Sequence, residues 1–192
     1  MKAPYTWVFG TPAKGVTSTA HRVTARDGHE VKIRVHRPDD ASGPLPLLLH
    51  FHGGGFVLGH ISAYDPWCTA VAARARVVVV TVAYRMAPEH RAPTAVHDCL
   101  DATHWVLEHA AELGARADSV GVSGDSAGGN LAAAVAQQLR DAGFAGLRHQ
   151  ALVYPAPDLT EREVEALQEA DRRFVLLTPD MMRSFRRVYL GD

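Results

Sequence analysis

The sequence has 192 residues, of which 47% are apolar and 21% charged, and its formal net charge is −1. The length suits one large domain, and an apolar content this high with nearly balanced charge excludes an intrinsically disordered chain. Because 20 Lys and Arg are offset by 21 Asp and Glu, no excess of positive charge favours nucleic acid or an anionic membrane as a partner.

Cysteine content and apolar runs bear on where the protein resides. Cys68 and Cys99 are the two cysteines of the sequence, and both lie in apolar contexts. Free, buried thiols fit a reducing compartment, so a cytoplasmic protein is predicted. The first 15 residues hold no continuous apolar stretch, and no segment approaches the ~20 apolar residues of a membrane helix, so neither a secretory signal nor a membrane contact is predicted.

Apolar patterns alternate between strand and helix along the chain. Strands are predicted at 31–35, 45–51, 76–84, 119–122 and 150–154. Helical spacing of apolar residues predicts helices over 93–114, with Gly114 as the C-cap, and over 131–139, closed by Gly143. Strands joined through helices form parallel crossovers, so we expect an α/β fold with a mostly parallel sheet and helices on both faces.

The last segment of the chain has a different character. Residues 160–171 are acidic and predicted to be helical, and Thr178 before Pro179 predicts the start of another helix. An apolar stripe follows, formed by Met181, Met182, Phe185, Val188 and Tyr189. Core packing is the general expectation for such a stripe, and a substrate-facing lid is the alternative.

A serine lies in a Gly-rich turn between a predicted strand and a predicted helix. The run Gly124-Asp125-Ser126-Ala127-Gly128 matches the G-x-S-x-G nucleophile elbow, whose tight turn requires small neighbours. Ser126 is therefore the candidate nucleophile, and the Ala127 N–H at the helix start would point at a developing oxyanion. An ordinary helix N-cap is the alternative for Ser126. Asp125 is expected to order the turn rather than to transfer protons.

A second glycine run, His52-Gly53-Gly54-Gly55, directly follows a predicted strand. Because glycines leave backbone N–H groups unshielded, two N–H groups of the Gly53-Gly54-Gly55 run are predicted to donate to the same oxyanion. A phosphate-binding loop is the alternative, but no lysine follows in the G-K-[ST] pattern and the G-x-G-x-x-G register is absent. His52 precedes the loop, so we expect it to hold the shape of the loop.

These motifs resemble those of the hormone-sensitive-lipase-like branch of the α/β-hydrolase superfamily, the GDSAG-type bacterial carboxylesterases. The agreement extends to Tyr84-Arg85-Met86-Ala87-Pro88-Glu89-His90, Asp98, Tyr154-Pro155 and residues 176–190. The resemblance implies hydrolysis of short-chain carboxylic esters through an acyl-serine intermediate on Ser126. By the same resemblance, the oxyanion hole is formed by Gly53, Gly54 and Ala127. His52, Gly55, Gly124, Asp125 and Gly128 would support these groups.

The remaining members of a catalytic triad are not found in the sequence. In the family, an acid and then a histidine follow the serine along the chain, and no histidine occurs after His149. His149 is expected at the foot of a strand, away from the elbow. Asp158, just past a strand end, is a candidate acid in a less usual position, but a turn or capping role is favoured for it. We therefore expect a chain truncated at its C-terminus, without the last strands and with impaired or no activity.

Three hypotheses account for the incomplete triad. The chain is a fragment of a serine esterase, or it is a catalytically dead module that binds small apolar or acyl ligands. In the third hypothesis, a second chain supplies the acid and the histidine or pairs with the exposed sheet edge in a homodimer.

The domain organisation and ligands follow from the same reasoning. We expect one incomplete domain, with an N-terminal remnant over 1–20, a sheet core over 21–156 and a partial helical cap over 157–192. A small-molecule ester is the predicted substrate. Neither a metal nor an organic cofactor is predicted, because the histidines lack ligand spacing and backbone donors would polarise the ester carbonyl.

Overall fold

One six-stranded sheet organises the part of the chain that the structure describes, residues 10–160 and 177–191. The structure is a computed structural model. The strands are β1 (Val16–Thr24), β2 (Glu30–Pro38), β3 (Leu45–Phe51), β4 (Val78–Ala83), β5 (Ala115–Asp125) and β6 (Leu147–Val153). They lie in the order β1-β2-β4-β3-β5-β6.

The four strands β4, β3, β5 and β6 are parallel, whereas β1 and β2 form an antiparallel edge. At the carboxyl end of the parallel strands, Phe51 of β3 is paired with Gly124 of β5. The chain leaves both strands at this edge, so the register brings the two glycine-rich turns together. In open α/β sheets, this edge is where ligand sites form.

Four helices and a short 3-10 turn cover the sheet within the described residues. The helices are α1 (Asp65–Ala75), α2 (Thr94–Glu108), α3 (Ala127–Asp141) and α4 (Pro179–Leu190), and the 3-10 turn spans Ile61–Tyr64. Val79 packs with Cys68 and Ala72 of α1, whereas its neighbours Val78 and Val80 belong to the main core with buried residues of α2 and α3. Because successive strand residues face opposite sides, this division confirms a mostly parallel sheet with helices on both faces.

β1 and α1 are not predicted by the sequence patterns. β1 crosses the predicted boundary between the remnant and the core at residue 20, and most of its side chains are exposed, so it carries little apolar alternation. α1 is rich in alanine, and no apolar stripe at helical spacing stands out in it. No helix among the described residues is long and apolar enough to cross a bilayer.

Several element ends also differ from the predictions. α2 ends at Glu108, and the following turns reach Gly114, whose φ of +68° leads the chain into β5. β5 begins at Ala115 because Leu45 of β3 pairs with it before a break in register. The start of α4 is confirmed, since the Thr178 hydroxyl accepts the Met181 N–H at 3.2 Å. The acidic helix predicted over 160–171 lies outside the described residues, apart from residue 160.

Candidate active site

The turn between β5 and α3 is very tight. Ser126 has φ +53° and ψ −120°, a backbone conformation that residues with a side chain rarely adopt. A Cβ added at Gly124 would lie 2.1 Å from the Gly128 carbonyl oxygen, and one added at Gly128 would lie 2.0 Å from the Phe51 carbonyl oxygen. Glycine is needed at both positions because backbone passes where a side chain would be.

Hydrogen bonds from β6 and the segment after it hold Ser126 in this conformation. Its N–H donates to the Val153 carbonyl oxygen at 2.9 Å, and its carbonyl oxygen accepts the Ala156 N–H at 3.2 Å. Ser126 occupies the N-cap position of α3, but its side chain makes no capping hydrogen bond. The Ser126 hydroxyl therefore does not cap the N-terminus of helix α3.

The first glycine after His52 directs its N–H toward the elbow rather than toward solvent. Gly53 donates to Asp125 Oδ1 and to Tyr64 Oη, both at 3.1 Å. A Cβ at Gly53 would lie 2.4 Å from Asp125 Oδ2, so glycine is required for this approach. The arrangement differs from the expectation that the Gly53 N–H faces an oxyanion, because a carboxylate and a phenol already accept it.

The next two glycines, with Ala127, border the same cavity as Ser126. Gly54 and Gly55 have φ values of +125° and +63°, which turn the loop sharply. Within the described residues, the N–H groups of Gly54, Gly55 and Ala127 donate no hydrogen bond. Ala127 is the first residue of α3, where helical N–H groups lack an intrahelical acceptor. Three residues whose N–H groups are unpaired among the described residues therefore border the cavity that Ser126 also lines.

His52 is buried behind the glycine loop, the segment His52–Gly55. Its ring stacks on Tyr84 with a centroid separation of 4.3 Å, and its Nδ1 lies 2.8 Å from the Gly53 carbonyl oxygen. Tyr84 Oη donates to the His52 carbonyl oxygen at 2.7 Å. Burial lowers the pKa of His52, which favours the neutral ring. His52 is absent from the described residues that line the cavity.

A buried ion pair supports the segment that follows β4. Asp98 of α2 is fully buried and accepts both the Arg85 N–H at 2.8 Å and the Arg85 guanidinium at 2.7 Å. Two residues further, the Ala87 N–H donates to the Phe56 carbonyl oxygen at 2.9 Å. The segment therefore braces the glycine loop from its C-terminal end.

The cavity beside Ser126 has a volume of about 180 Å³ and mostly apolar walls. Its described lining consists of Gly54, Gly55, Phe56, Ser126, Ala127, Ala156, Leu159, Leu177, Met182, Phe185, Arg186 and Tyr189. Arg186 is the charged member of this set, and its Nε donates to the Leu159 carbonyl oxygen at 2.7 Å. The walls thus match an apolar group placed next to the serine.

Helix α4 forms one wall of the cavity and is docked on the core. The Tyr189 ring, 3% exposed, stacks on Phe56 with a centroid separation of 3.9 Å, and the Ala92 N–H donates to the Tyr189 carbonyl oxygen at 2.9 Å. Of the predicted apolar stripe, Met182, Phe185 and Tyr189 line the cavity, Val188 packs against the core and Met181 is exposed. The stripe therefore contributes both to core packing and to one wall of the cavity.

Neither of the two residues considered for the missing triad roles is among the described residues that line the cavity. Asp158 accepts the Thr160 N–H at 2.8 Å and the Thr160 hydroxyl at 2.9 Å, as in a local turn. His149 is paired with Gly121 near the start of β6, roughly 13 Å along the strand from Val153 at ~3.3 Å per residue. No group of three or more metal-ligating side chains occurs among the described residues.

Two aromatic residues at the site are missed by the sequence reasoning. Tyr64, at the end of the 3-10 turn, forms hydrogen bonds with Asp125 and Gly53, and the Phe56 ring stacks on the Tyr189 ring. Phe56 adjoins the glycine run, which is a signal available in the sequence. Tyr64 belongs to none of the motifs, and its part in the site depends on the tertiary fold.

Comparison with known proteins gives consistent results. A family model described as the alpha/beta hydrolase fold matches residues 48–192. Esterase LipI of Mycobacterium tuberculosis is 42% identical over 156 residues, which cover 81% of this chain and 47% of the relative. Ethyl acetate hydrolase of Pseudomonas putida is 43% identical over 143 residues, or 73% of this chain and 45% of the relative.

Solved structures agree in the same way. A hyperthermophilic esterase from Pyrobaculum calidifontis superposes with a TM-score of 0.88 at 38% identity, covering 98% of this chain and 61% of the esterase. A bacterial heroin esterase gives a TM-score of 0.86 at 36% identity, covering 93% of this chain and 56% of that structure. The chain spans about half the length of the curated relatives that it matches.

Proposed function

Because the chain belongs to the alpha/beta hydrolase fold family, within its hormone-sensitive-lipase-like carboxylesterase branch, we propose that it carries the acylation site of a carboxylic ester hydrolase. Ser126 is the nucleophile. The observation that carries the proposal is that Ser126 lines one cavity together with Gly54, Gly55 and Ala127, whose N–H groups donate no hydrogen bond within the described residues.

The proposed reaction uses these groups in two steps. Ser126 Oγ attacks the ester carbonyl carbon, its proton passes to a base, and the carbonyl oxygen takes the negative charge in the tetrahedral intermediate. The three N–H groups stabilise that oxygen, each donor contributing about 3 kcal/mol in enzymes of this type. The C–O bond to the alcohol then breaks, the alcohol leaves protonated, and water hydrolyses the acyl-serine.

We assign the oxyanion donors to Gly54, Gly55 and Ala127 rather than to Gly53. The Gly53 N–H already has two acceptors, and Gly53 does not border the cavity among the described residues. The roles proposed for His52, Gly124, Asp125 and Gly128 are structural. His52 and Asp125 hold the glycine loop, and Gly124 and Gly128 permit the tight elbow.

The proposed substrates are small carboxylic esters with short acyl chains. An apolar protein cavity of about 150 Å³ accommodates benzene, so the 180 Å³ beside Ser126 suits an acyl group of similar size. Ethyl acetate hydrolase, one of the relatives, is named for a substrate of this class. Backbone donors polarise the carbonyl in this scheme, so its steps need no metal or organic cofactor.

Hydrolysis of p-nitrophenyl butyrate by the purified chain, compared with Ser126→Ala, tests the proposal. Because the chain lacks a recognised triad acid and histidine, we expect slow release of p-nitrophenol that the substitution abolishes, and intact-mass detection of a butyryl group attached at Ser126. Equal background rates without acylation would contradict the proposal for this chain. Activity would show that a base reaches Ser126 from this chain or from a second copy.

Two accompanying proposals concern location and assembly. We propose a cytoplasmic location, supported by two free, buried thiols at Cys68 and Cys99. We also propose that the edge formed by β6 contacts a second copy, supported by the exposed apolar side chains of Leu152 and Val153. A monomeric mass by light scattering at working concentrations would contradict the second.

A further inference from the structure

We propose that Tyr64 is a positioning residue for the active site: with Asp125 it fixes the Gly53 N–H, so that the N–H groups of Gly54 and Gly55 face the place beside Ser126 that the ester carbonyl oxygen would occupy. The catalytic consequence rests on the proposed function. The structural part, a hydroxyl that holds the glycine loop, stands on the geometry alone.

A closed ring of hydrogen bonds connects three chain segments. Tyr64 Oη donates to Asp125 Oδ2 at 2.9 Å and accepts the Gly53 N–H at 3.1 Å. The same N–H reaches Asp125 Oδ1 at 3.1 Å. The ring therefore links the 3-10 turn, the glycine loop and the nucleophile elbow through one phenol and one carboxylate.

The hydroxyl is held in place from outside the loop that it supports. Tyr64 ends the 3-10 turn, and the next residue, Asp65, pairs with Arg34 of β2 at 2.8 Å. The Tyr64 ring lies between two histidine rings, with centroid separations of 5.2 Å to His50 and 5.9 Å to His52. Replacing Tyr by Phe would keep this ring packing and remove only the oxygen.

The protonation states suit this role. Burial, and then the charge of Asp125, raise the pKa of Tyr64, so the hydroxyl keeps its proton and continues to donate to the carboxylate. His50 Nε2 lies 3.7 Å from Asp125 Oδ1, but burial lowers the pKa of His50 to about 3. His50 is therefore neutral at ordinary pH. It adds no positive charge beside Asp125 that could replace the hydrogen bond from the Tyr64 hydroxyl.

The consequence for the oxyanion site follows from the direction of successive peptides. With the Gly53 N–H fixed on Asp125, the positive φ angles of Gly54 and Gly55 carry the loop along the cavity beside Ser126. Loss of one oxyanion donor costs about 10²- to 10³-fold in kcat, and misalignment of a donor costs less. Removing the Tyr64 hydroxyl should therefore lower kcat about tenfold.

The first test compares the steady-state kinetics of Tyr64→Phe with those of the unchanged chain on p-nitrophenyl butyrate. We expect kcat to fall about tenfold while KM stays within about twofold, because the cavity walls are unchanged and the donors act mainly on the transition state. Thr103→Val is the control, since it removes another buried hydroxyl, bonded to the Cys99 carbonyl oxygen in α2, far from the loop. An unchanged kcat in Tyr64→Phe would overturn the catalytic role.

The second test does not depend on activity. Amide hydrogen exchange of Gly53, followed by NMR in the full chain, should be at least about tenfold faster in Tyr64→Phe, whereas amides in the middle of α3 keep their rates. Unchanged exchange at Gly53 would overturn the proposal whatever the kinetics show. If the chain and Ser126→Ala hydrolyse the ester equally slowly, the proposed function fails for this chain, and the exchange result alone decides on Tyr64.

Discussion

The ring of Phe185 lies directly on Gly55, so close that a Cβ on that glycine would be 2.6 Å from Phe185 Cγ. The contact joins helix α4 to the glycine loop and closes one side of the cavity beside Ser126. It also explains why a side chain is excluded at residue 55, where φ is +63°. The length of an acyl chain that fits the site should therefore depend on this ring.

We expect Phe185→Ala to shift the preference toward longer acyl chains. Removing the ring opens space for two or three methylenes, each contributing about 0.8 kcal/mol when buried. The ratio of kcat/KM for p-nitrophenyl decanoate to that for the butyrate should rise about 15- to 60-fold, after subtraction of the Ser126→Ala rates. Met181→Ala is the control, because Met181 lies on the same helix and is exposed. An unchanged ratio in Phe185→Ala would contradict the assignment.

Gly128→Ala should destabilise the fold strongly. The new Cβ would lie 2.0 Å from the Phe51 carbonyl oxygen and 2.6 Å from that of His52, and these backbone atoms belong to the end of β3 and the glycine loop. Overpacking of this kind costs about 1–3 kcal/mol or more in the free energy of unfolding. Urea unfolding measures the change. Gly43→Ala, where no atom lies within 4 Å of the new Cβ, should stay within about 1 kcal/mol of the parent chain.

Two Arg–Asp pairs on α2 allow a test of burial. Asp98, paired with Arg85, is fully buried, whereas Asp101 pairs with Arg26, whose side chain is 49% exposed. Asp98→Asn should lower the free energy of unfolding by about 1.5–3 kcal/mol, because the largely buried Arg85 guanidinium loses its buried partner and keeps only Asp27, which is 49% exposed. Asp101→Asn should cost about 1 kcal/mol or less. Equal losses in urea unfolding would refute this account of the two pairs.

Stability should fall with acid partly through His36. The side chain is fully buried, and burial, with a smaller contribution from Arg34, lowers the pKa of His36 to about 4. Its ring contacts Ser18 Oγ at 2.7 Å and lies 3.8 Å from Asp65 Oδ1, and burial raises the pKa of that carboxyl. At His36, the unfolded chain therefore binds more protons than the folded chain between pH 6.5 and 4, and this residue makes the folded state less stable as the pH falls through the window. The raised pKa of Asp65 acts in the opposite direction.

His36→Asn should remove this contribution. We expect the slope of unfolding free energy against pH, measured in urea between pH 6.5 and 4, to become shallower by up to about 1.4 kcal/mol per pH unit. His149→Asn, at an exposed position of β6, is the matched control and should keep the parent slope. If both variants keep it, proton binding at His36 contributes nothing to acid unfolding.

The predictable parts of this molecule are those whose causes are local. The bounds of β3 match the prediction because a continuous apolar run is flanked by turn residues, and the cap at Thr178 follows from its hydroxyl before a proline. The elbow around Ser126 is recognisable in the sequence from Gly124 and Gly128, because at each of them another backbone atom lies where a side chain would be. α1 carries no such local signal, because alanine packs on any side of a helix.

The details of the oxyanion site depend on contacts between distant segments. Counting glycines cannot distinguish Gly53 from Gly55 as a donor, since both leave their N–H groups unshielded. What separates them is the approach of Tyr64 and Asp125, which lie 11 and 72 residues after Gly53 in the sequence and accept its N–H. The pairing register of β3 and β5 brings Asp125 close to Gly53. This register cannot be read from the spacing of the two motifs along the sequence.

The hydrogen bonds that hold Ser126 also order events in folding. The strained backbone at Ser126 has its N–H on Val153 and its carbonyl oxygen on Ala156, both later in the chain. A growing polypeptide that has passed the elbow therefore still lacks the partners that keep the serine in this conformation. We therefore expect the nucleophile to reach its geometry only after β6 docks beside β5, late in the folding of the sheet.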